Sequence, residues 1–150
     1  MTEKWLPVVG WGEAYEVSNL GNLRRTKSLK ANRVGVLLKG STNRDGYRIF
    51  HRRDGTRNKS RTAHRLVAEA FIPNPDNLPL VLHGPNRQGD NSVGNLRWGT
   101  NSDNMKDRRR DGTDYELNKT HCPKGHPYSP ENTYWSDAEK RARKCKTCHN

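Results

Sequence analysis

The three cysteines of the chain stand together near its C-terminus and restrict how that part can fold. Cys122 and His126 form a Cys-x3-His pair, and Cys145 and Cys148 form a Cys-x2-Cys pair further on. Three thiolates and one imidazole make up the ligand set of a closed tetrahedral zinc site. An odd number of cysteines also argues against a disulfide framework. We therefore predict a structural Zn²⁺ site in a zinc-binding ribbon over residues 116–150.

A redox-active Cys-x-x-Cys motif is the competing interpretation of the second pair. It leaves the Cys-x3-His pair unexplained, so the zinc site is preferred. His121 and His149 adjoin cysteines in sequence and are poorer candidates for the fourth ligand.

The composition favours several small modules over one large core. Of 150 residues only 30% are hydrophobic, and small modules bury a low fraction of their surface and usually need metals or partners. There is no apolar run of about 18 residues and no charged-then-apolar leader, so we expect neither a membrane span nor a secretory signal. We expect a cytoplasmic protein.

Positive charge is concentrated in one part of the chain. The net charge is +12, and residues 24–65 alone carry +12. The flanking segments carry −2 for residues 1–23 and +2 for residues 66–150. A concentrated positive field replaces counterions along a phosphate backbone, so this stretch indicates nucleic-acid binding in preference to a merely solvated face.

Residues 1–62 are predicted to form a β-rich DNA-binding module. Short apolar pieces separated by Pro7, Gly10 and a Ser-Asn-Leu-Gly turn are typical of small antiparallel strands. Residues 46–52 alternate like a strand, with Arg48, Phe50 and Arg52 on one face, and an Asp-Gly turn leads into a returning strand.

A two-stranded ribbon of this kind can enter the major groove of DNA. Most protein–DNA hydrogen bonds go to the backbone, so each basic residue is expected to contact phosphate more often than a base. Solvated charge is the rival interpretation for those that follow the ribbon. The candidate DNA contacts are Arg24, Arg25, Arg44, Arg48, Arg52, Arg53, Arg57, Lys59, Arg61, Arg97, Arg108 and Arg109.

Residues 64–71 are predicted to form a helix. Leu66, Val67, Ala70 and Phe71 share one helical stripe, and prolines follow at positions 73 and 75. Thr62 is the expected N-cap. His64, at the start of this helix, is expected to pack and is left out of the catalytic set.

A histidine and two asparagines follow in a fixed order. His83 ends an apolar run, Asn95 comes twelve residues later, and Asn104 opens a polar, helix-like segment. This order, with the Trp-x-Pro, Gly-Trp and Tyr-Glu-Val-Ser-Asn-x-Gly motifs of residues 5–21 upstream, resembles the phage-type HNH homing endonucleases. In that family a modular DNA-binding motif precedes a ββα-metal finger, here expected over residues 63–115.

The resemblance implies a role for each of the three residues. His83 would take a proton from water, because a neutral imidazole has a pKa near working pH. Asn104 would offer an oxygen to Mg²⁺ or Mn²⁺, in the first turn of a helix that a Thr-x-x-Asp capping box predicts from about residue 101. Asn95 would tie the hairpin loop together and hold the histidine in register.

The residue before the histidine departs from the family pattern. Relatives usually carry a polar ligand there, whereas this chain has Leu82. Three alternatives stay open: Asn104, substrate phosphate and water hold the ion; Asp90 or Asp103 contributes; or activity is weak.

The sequence thus predicts an α+β protein built of small antiparallel β modules, an HNH finger and a zinc ribbon. We expect a monomeric, metal-dependent endonuclease that nicks or cleaves double-stranded DNA, in the bacterial host cytoplasm if a phage encodes it. The alternative is a non-catalytic DNA-binding or regulatory protein with a degenerate finger. A ribonuclease with the same finger stays open as a third possibility.

Overall fold

The computed structural model describes residues 2–27, 34–54, 57–84, 89–136, 138 and 142–149. Contacts between residues divide the chain into two units, Met1–Thr100 and Asn101–Asn150. The predicted boundaries at residues 62 and 115 do not coincide with this division and remain predictions. The predicted α+β class is confirmed, since the described residues form small antiparallel sheets together with α-helices.

The first sheet is antiparallel and has four strands in the order β1-β2-β3-β4. The turn between the second and third strands is the predicted one: the Oγ of Ser18 accepts a hydrogen bond from the backbone N of Asn22 at 3.1 Å. Gly21 has a φ of +84° there, which glycine adopts without strain. The strands are Trp5–Pro7 (β1), Tyr15–Ser18 (β2), Leu23–Arg25 (β3) and Leu37–Leu38 (β4).

The second sheet contains the predicted hairpin and one further strand. Its strands are Ser41–Thr42 (β5), Arg48–Asp54 (β6) and Arg57–Thr62 (β7), in that order. The predicted two-stranded ribbon is therefore wrong in strand number. Phe50, on the face predicted to carry arginines, is only 1% exposed, so this face packs into the core at its centre. The turn residues 55 and 56 lie outside the described residues.

Helix α1 spans Ala63–Phe71, as the apolar stripe predicted, and ends before Pro73. Leu66 and Val67 are fully buried. Thr62 occupies the N-cap position, but its side chain makes no capping hydrogen bond. Its Oγ1 lies 3.1 Å from the Nε2 of His64 instead. The predicted position of the cap is therefore confirmed, but the predicted capping hydrogen bond is wrong.

One hydrophobic core joins both sheets, α1 and a third, two-stranded sheet. That sheet is the antiparallel hairpin of Leu80–His83 (β8) and Leu96–Gly99 (β9). The core therefore crosses the predicted boundary at residue 62. Its buried members are Val8, Trp11, Tyr15, Val17, Leu23, Phe50, Ala63, Leu66, Val67 and Leu96.

The second unit begins with helix α2, Asn101–Arg110, at the residue that the capping box predicted. A short helix α3, Tyr115–Asn118, follows, and the Oδ1 of Asp114 caps it by accepting from the backbone N of Glu116 at 3.0 Å. Thr133–Trp135 (β10) and Arg143–Cys145 (β11) then form an antiparallel ribbon. None of the helices among the described residues is long and apolar enough to cross a membrane.

Candidate functional site

Asn95 closes the loop between β8 and β9. The residue is 3% exposed. Its Nδ2 donates to the carbonyl oxygen of Asp90 at 2.8 Å, and its backbone oxygen accepts from the N of Gly84 at 2.7 Å. A Cβ at position 84 would lie 2.8 Å from the Oδ1 of Asn95, so a larger residue there would displace the Asn95 amide. These contacts fix the chain immediately after His83.

The N-terminal sheet braces the same loop. The backbone oxygen of Asn19, in the turn between β2 and β3, accepts from the N of Val93 at 2.8 Å. A Cβ on Gly21 would lie 2.7 Å from the Cβ of Asn91. The N-terminal module therefore supports the loop between β8 and β9, the finger loop, by direct contact.

His83 ends β8, is half-buried and is held on several sides. Its Nε2 lies 3.3 Å from the Oδ1 of Asn91. Its ring stacks on Tyr47 with centroids 5.9 Å apart and meets His64 edge to face at 4.9 Å. Burial lowers the pKa of His83, against the opposing effects of the Asn91 hydrogen bond and the Asp90 carboxylate. The ring is therefore neutral at pH 7, the form that can accept a proton.

His64, which the sequence left out of the catalytic set, lies against His83. Burial, and then the neighbouring His83 and Arg65, lower the pKa of His64 to about 4. The side chain is thus uncharged at neutral pH. Its proximity to His83 depends on the packing of α1 against β8, and no local motif in the sequence signals it.

Leu82 is a packing residue. It is 6% exposed, and a Cβ on Gly99 of the neighbouring strand would lie 2.5 Å from its Cδ1. The leucine therefore covers the glycine across the hairpin. The strand therefore presents an apolar contact at the position where the sequence resemblance implied a polar metal ligand.

Asn104 lies in the first turn of α2 and is half-buried. The first N–H groups of a helix have no partner within the helix, and the helix dipole favours negative charge at that end. An amide oxygen placed there can accompany a bound phosphate. The helix start, and with it this placement of Asn104, is as the sequence predicted.

Several predicted DNA contacts have partners within the chain. Arg48 donates to the backbone oxygens of Lys39 and Leu38, each at 3.1 Å. Arg24 forms an ion pair with Glu16 at 2.7 Å. Such side chains stabilise the fold and have less freedom to follow a phosphate backbone. Arginines of the predicted set with intrachain hydrogen bonds, ion pairs or ring contacts include Arg24, Arg25, Arg48, Arg52 and Arg61.

Other predicted contacts reach solvent. The exposed ones are Arg44, Lys59, Arg97 and Arg108, and of these Lys59 and Arg97 also have interactions within the chain. Arg109 is half-buried, with its Nε 3.6 Å from the Oδ2 of Asp114. The side chains of Arg53 and Arg57 lie outside the described residues.

The four predicted ligands of the C-terminal site come together. The ligand atoms of Cys122, His126, Cys145 and Cys148 all lie within 4.8 Å of one another. The Sγ atoms of Cys122 and Cys148 are 3.7 Å apart, and the Nδ1 of His126 lies 3.2 to 3.7 Å from the three sulfurs. Gly125, with a φ of +83°, forms the tight turn of the first pair. The group can hold a metal ion.

Asn132 organises this cluster and was not singled out from the sequence. Its Nδ2 donates to the Sγ of Cys145 at 3.4 Å and to the backbone oxygen of Pro127 at 2.7 Å. Its Oδ1 accepts from the backbone N of Thr147 at 3.0 Å. One amide thus connects the loops that carry both ligand pairs, and hydrogen bonds of this kind orient metal ligands.

Comparison with known proteins points to one family. The model of the NUMOD4 motif matches residues 3–51. The DNA endonuclease I-HmuI of Bacillus phage SP01 is 31% identical over 110 residues, which are 73% of this chain and 60% of that protein. An uncharacterized HNH endonuclease, L245 of Acanthamoeba polyphaga mimivirus, is 38% identical over 73 residues, 49% of this chain and 22% of that protein.

A solved structure, described as DNA binding and cleavage by the HNH homing endonuclease I-HmuI, resembles this fold. The TM-score is 0.61 at 30% identity, covering 73% of this chain and 60% of that chain. The chain spans less than two thirds of the length of either relative.

Proposed function

We propose that this chain, which resembles the phage-type HNH endonucleases, hydrolyses phosphodiester bonds of double-stranded DNA with the help of a divalent cation. The observation that supports this most is the setting of His83. Its neutral ring ends a strand, contacts Asn91, and precedes a loop that Asn95 closes. These are the properties that a general base needs.

The contact with Asn91 supports one tautomer of His83. An amide oxygen only accepts, so Nε2 carries the proton and the lone pair of the neutral ring lies on Nδ1. In the proposed reaction Nδ1 takes the proton of the attacking water. Because the pKa of His83 is lowered, this nitrogen stays unprotonated at neutral pH.

Asn104 could hold a catalytic Mg²⁺ or Mn²⁺ if the substrate completes its coordination. Asn104 offers one amide oxygen and Leu82 none. Among the described residues, the one cluster of three or more His, Cys, Asp or Glu side chains that could hold a metal ion is the Cys3His group, which does not include Asn104. Mg²⁺ keeps several waters and commonly uses substrate phosphates besides one or two protein oxygens, so Asn104 with phosphate and water would hold it. When bound, the ion offsets negative charge on the phosphate and the leaving oxygen.

Zn²⁺ fits the Cys3His group. Tetrahedral coordination with Zn–S bonds of about 2.3 Å and a Zn–N bond of about 2.0 Å gives edges of about 3.5 to 3.8 Å. Four of the six edges measure 3.2 to 3.7 Å, close to these values, and all six are within 4.8 Å. We assign the ion a structural role, because all four positions are filled by protein side chains.

The endonuclease proposal is tested by incubating the protein with supercoiled plasmid in the presence of Mg²⁺, Mn²⁺ or excess chelator. We expect metal-dependent conversion to the nicked circle, since a monomer with one His83 cuts one strand at a time. Binding without nicking under every condition would support the alternative that Leu82 favours, a non-catalytic DNA-binding protein. Cleavage of RNA but not plasmid would indicate a ribonuclease.

DNA affinity is expected to fall steeply with salt, through the exposed basic residues. Replacing Arg44 and Arg108 together by glutamine should reduce the slope of log affinity against log salt by about two, at about one per lost phosphate contact. The contrast is Arg48→Gln, which removes an intrachain contact and should lower the melting temperature with little change in slope. Equal slopes for the double variant and the wild type would place the DNA-binding surface elsewhere.

A further inference from the structure

Three aromatic rings meet at the end of β8. The ring of His83 contacts the rings of Tyr47 and His64. Those two rings also contact each other, with their centroids 5.0 Å apart. The three come from the turn before β6, the first turn of α1 and the last residue of β8. They are 17 and 19 residues apart along the chain, so this triangle is a product of tertiary packing.

We propose that His64 and Tyr47 are positioning residues that hold the ring of His83 in the orientation from which it acts as the base. This inference rests on the proposed function. An imidazole at the end of a strand can rotate about its two side-chain torsions. The hydrogen bond to Asn91 restrains one ring nitrogen, and the two neighbouring rings restrain the ring plane.

The rings of Tyr47 and His64 are themselves held in place. The Oδ1 of Asn43 accepts a hydrogen bond from the backbone N of Tyr47 at 2.8 Å. The backbone N of Asn43 donates to the backbone oxygen of Tyr47 at 3.0 Å. Gly46, with a φ of +84°, permits this turn. His64 is held by α1 and by its contact with the Oγ1 of Thr62. A rigid second layer is what keeps a reacting group in a productive geometry.

His64 acts in this arrangement through its ring surface. Its Nδ1 is buried, and within the described part of the chain it has no hydrogen-bond partner. Its lowered pKa, about 4, keeps it uncharged. An apolar ring of similar shape should therefore replace it, which distinguishes a packing surface from a second acid or base.

The test compares single-turnover nicking rates and DNA affinities of four variants. His64→Ala should slow nicking about 10- to 100-fold, the scale for misplacing a reacting group, and leave the dissociation constant nearly unchanged. His64→Phe should restore most of the rate. Tyr47→Leu removes the ring that stacks on His83 without altering α1, and it should also slow nicking. His51→Ala is the matched control, because His51 is exposed on β6 and contacts Ser41 instead.

A readout independent of activity separates failure of this inference from failure of the proposed function. Long-range ¹H–¹⁵N spectra should show His83 as one Nε2–H tautomer in the wild type and as a mixture in His64→Ala. A single tautomer in folded His64→Ala, or wild-type nicking by that variant, would overturn the positioning role. So would a folded but inactive His64→Phe, which would mean that His64 acts through a nitrogen. Should His64→Ala not fold, Tyr47→Leu decides by the same two readouts.

Discussion

Replacing His83 by alanine is expected to abolish nicking while leaving DNA affinity nearly unchanged. A positioned general base contributes about 10²- to 10⁴-fold to a rate. The neighbouring His64, with its pKa lowered to about 4, is too weak a base to replace the missing imidazole. Affinity depends mainly on phosphate contacts by basic side chains, which this substitution does not touch. Nicking rates on supercoiled plasmid and gel-shift titrations of both proteins measure the two effects.

Thermal melting belongs with this comparison, because His83 packs against Tyr47 and His64. A folded variant with unchanged affinity and no nicking identifies a chemical role. A folded variant that nicks at nearly the wild-type rate would remove His83 as the base. His83→Gln gives a second form of the test, since it keeps polar volume at the end of β8 but cannot act as a base near pH 7.

Cys145→Ser is expected to abolish zinc binding and to make the C-terminal ribbon susceptible to protease. Cys145 is buried and pairs with Thr133 across the ribbon, so its loss removes a ligand and loosens two loops at once. Structural zinc contributes on the order of 10 kcal/mol to the folding of small metal-binding modules. Elemental analysis should find one zinc per wild-type chain and much less in the variant.

His121→Ala is the matched control for zinc content. His121 adjoins Cys122 in sequence, but its ring Nδ1 contacts the Oγ1 of Thr120 and it is not part of the four-ligand cluster. Zinc content should therefore stay at one per chain in this variant. Wild-type zinc content in Cys145→Ser, or no zinc in the metal-replete wild type, would contradict the assignment.

Features that depend on neighbours in sequence were predictable from the sequence. The Cys-x3-His and Cys-x2-Cys pairs form one cluster because the spacing within each pair suits a single metal ion. The Ser18 turn, the hairpin of β6 and β7 and the start of α2 follow from residues a few positions apart. Turn chemistry and side-chain periodicity act over that range, so the sequence contains them explicitly.

Features that depend on packing between distant segments were decided by the tertiary structure. Arg48 reads as a DNA contact in the sequence, yet it donates to the backbone of residues 38 and 39. The N-terminal turn meets the finger loop because Gly21 lacks a Cβ where Asn91 approaches. His64 reaches His83 because α1 packs on β8 in the shared core. Pattern and charge show which residues can bind or react, but which of them meet depends on how the apolar faces bury one another.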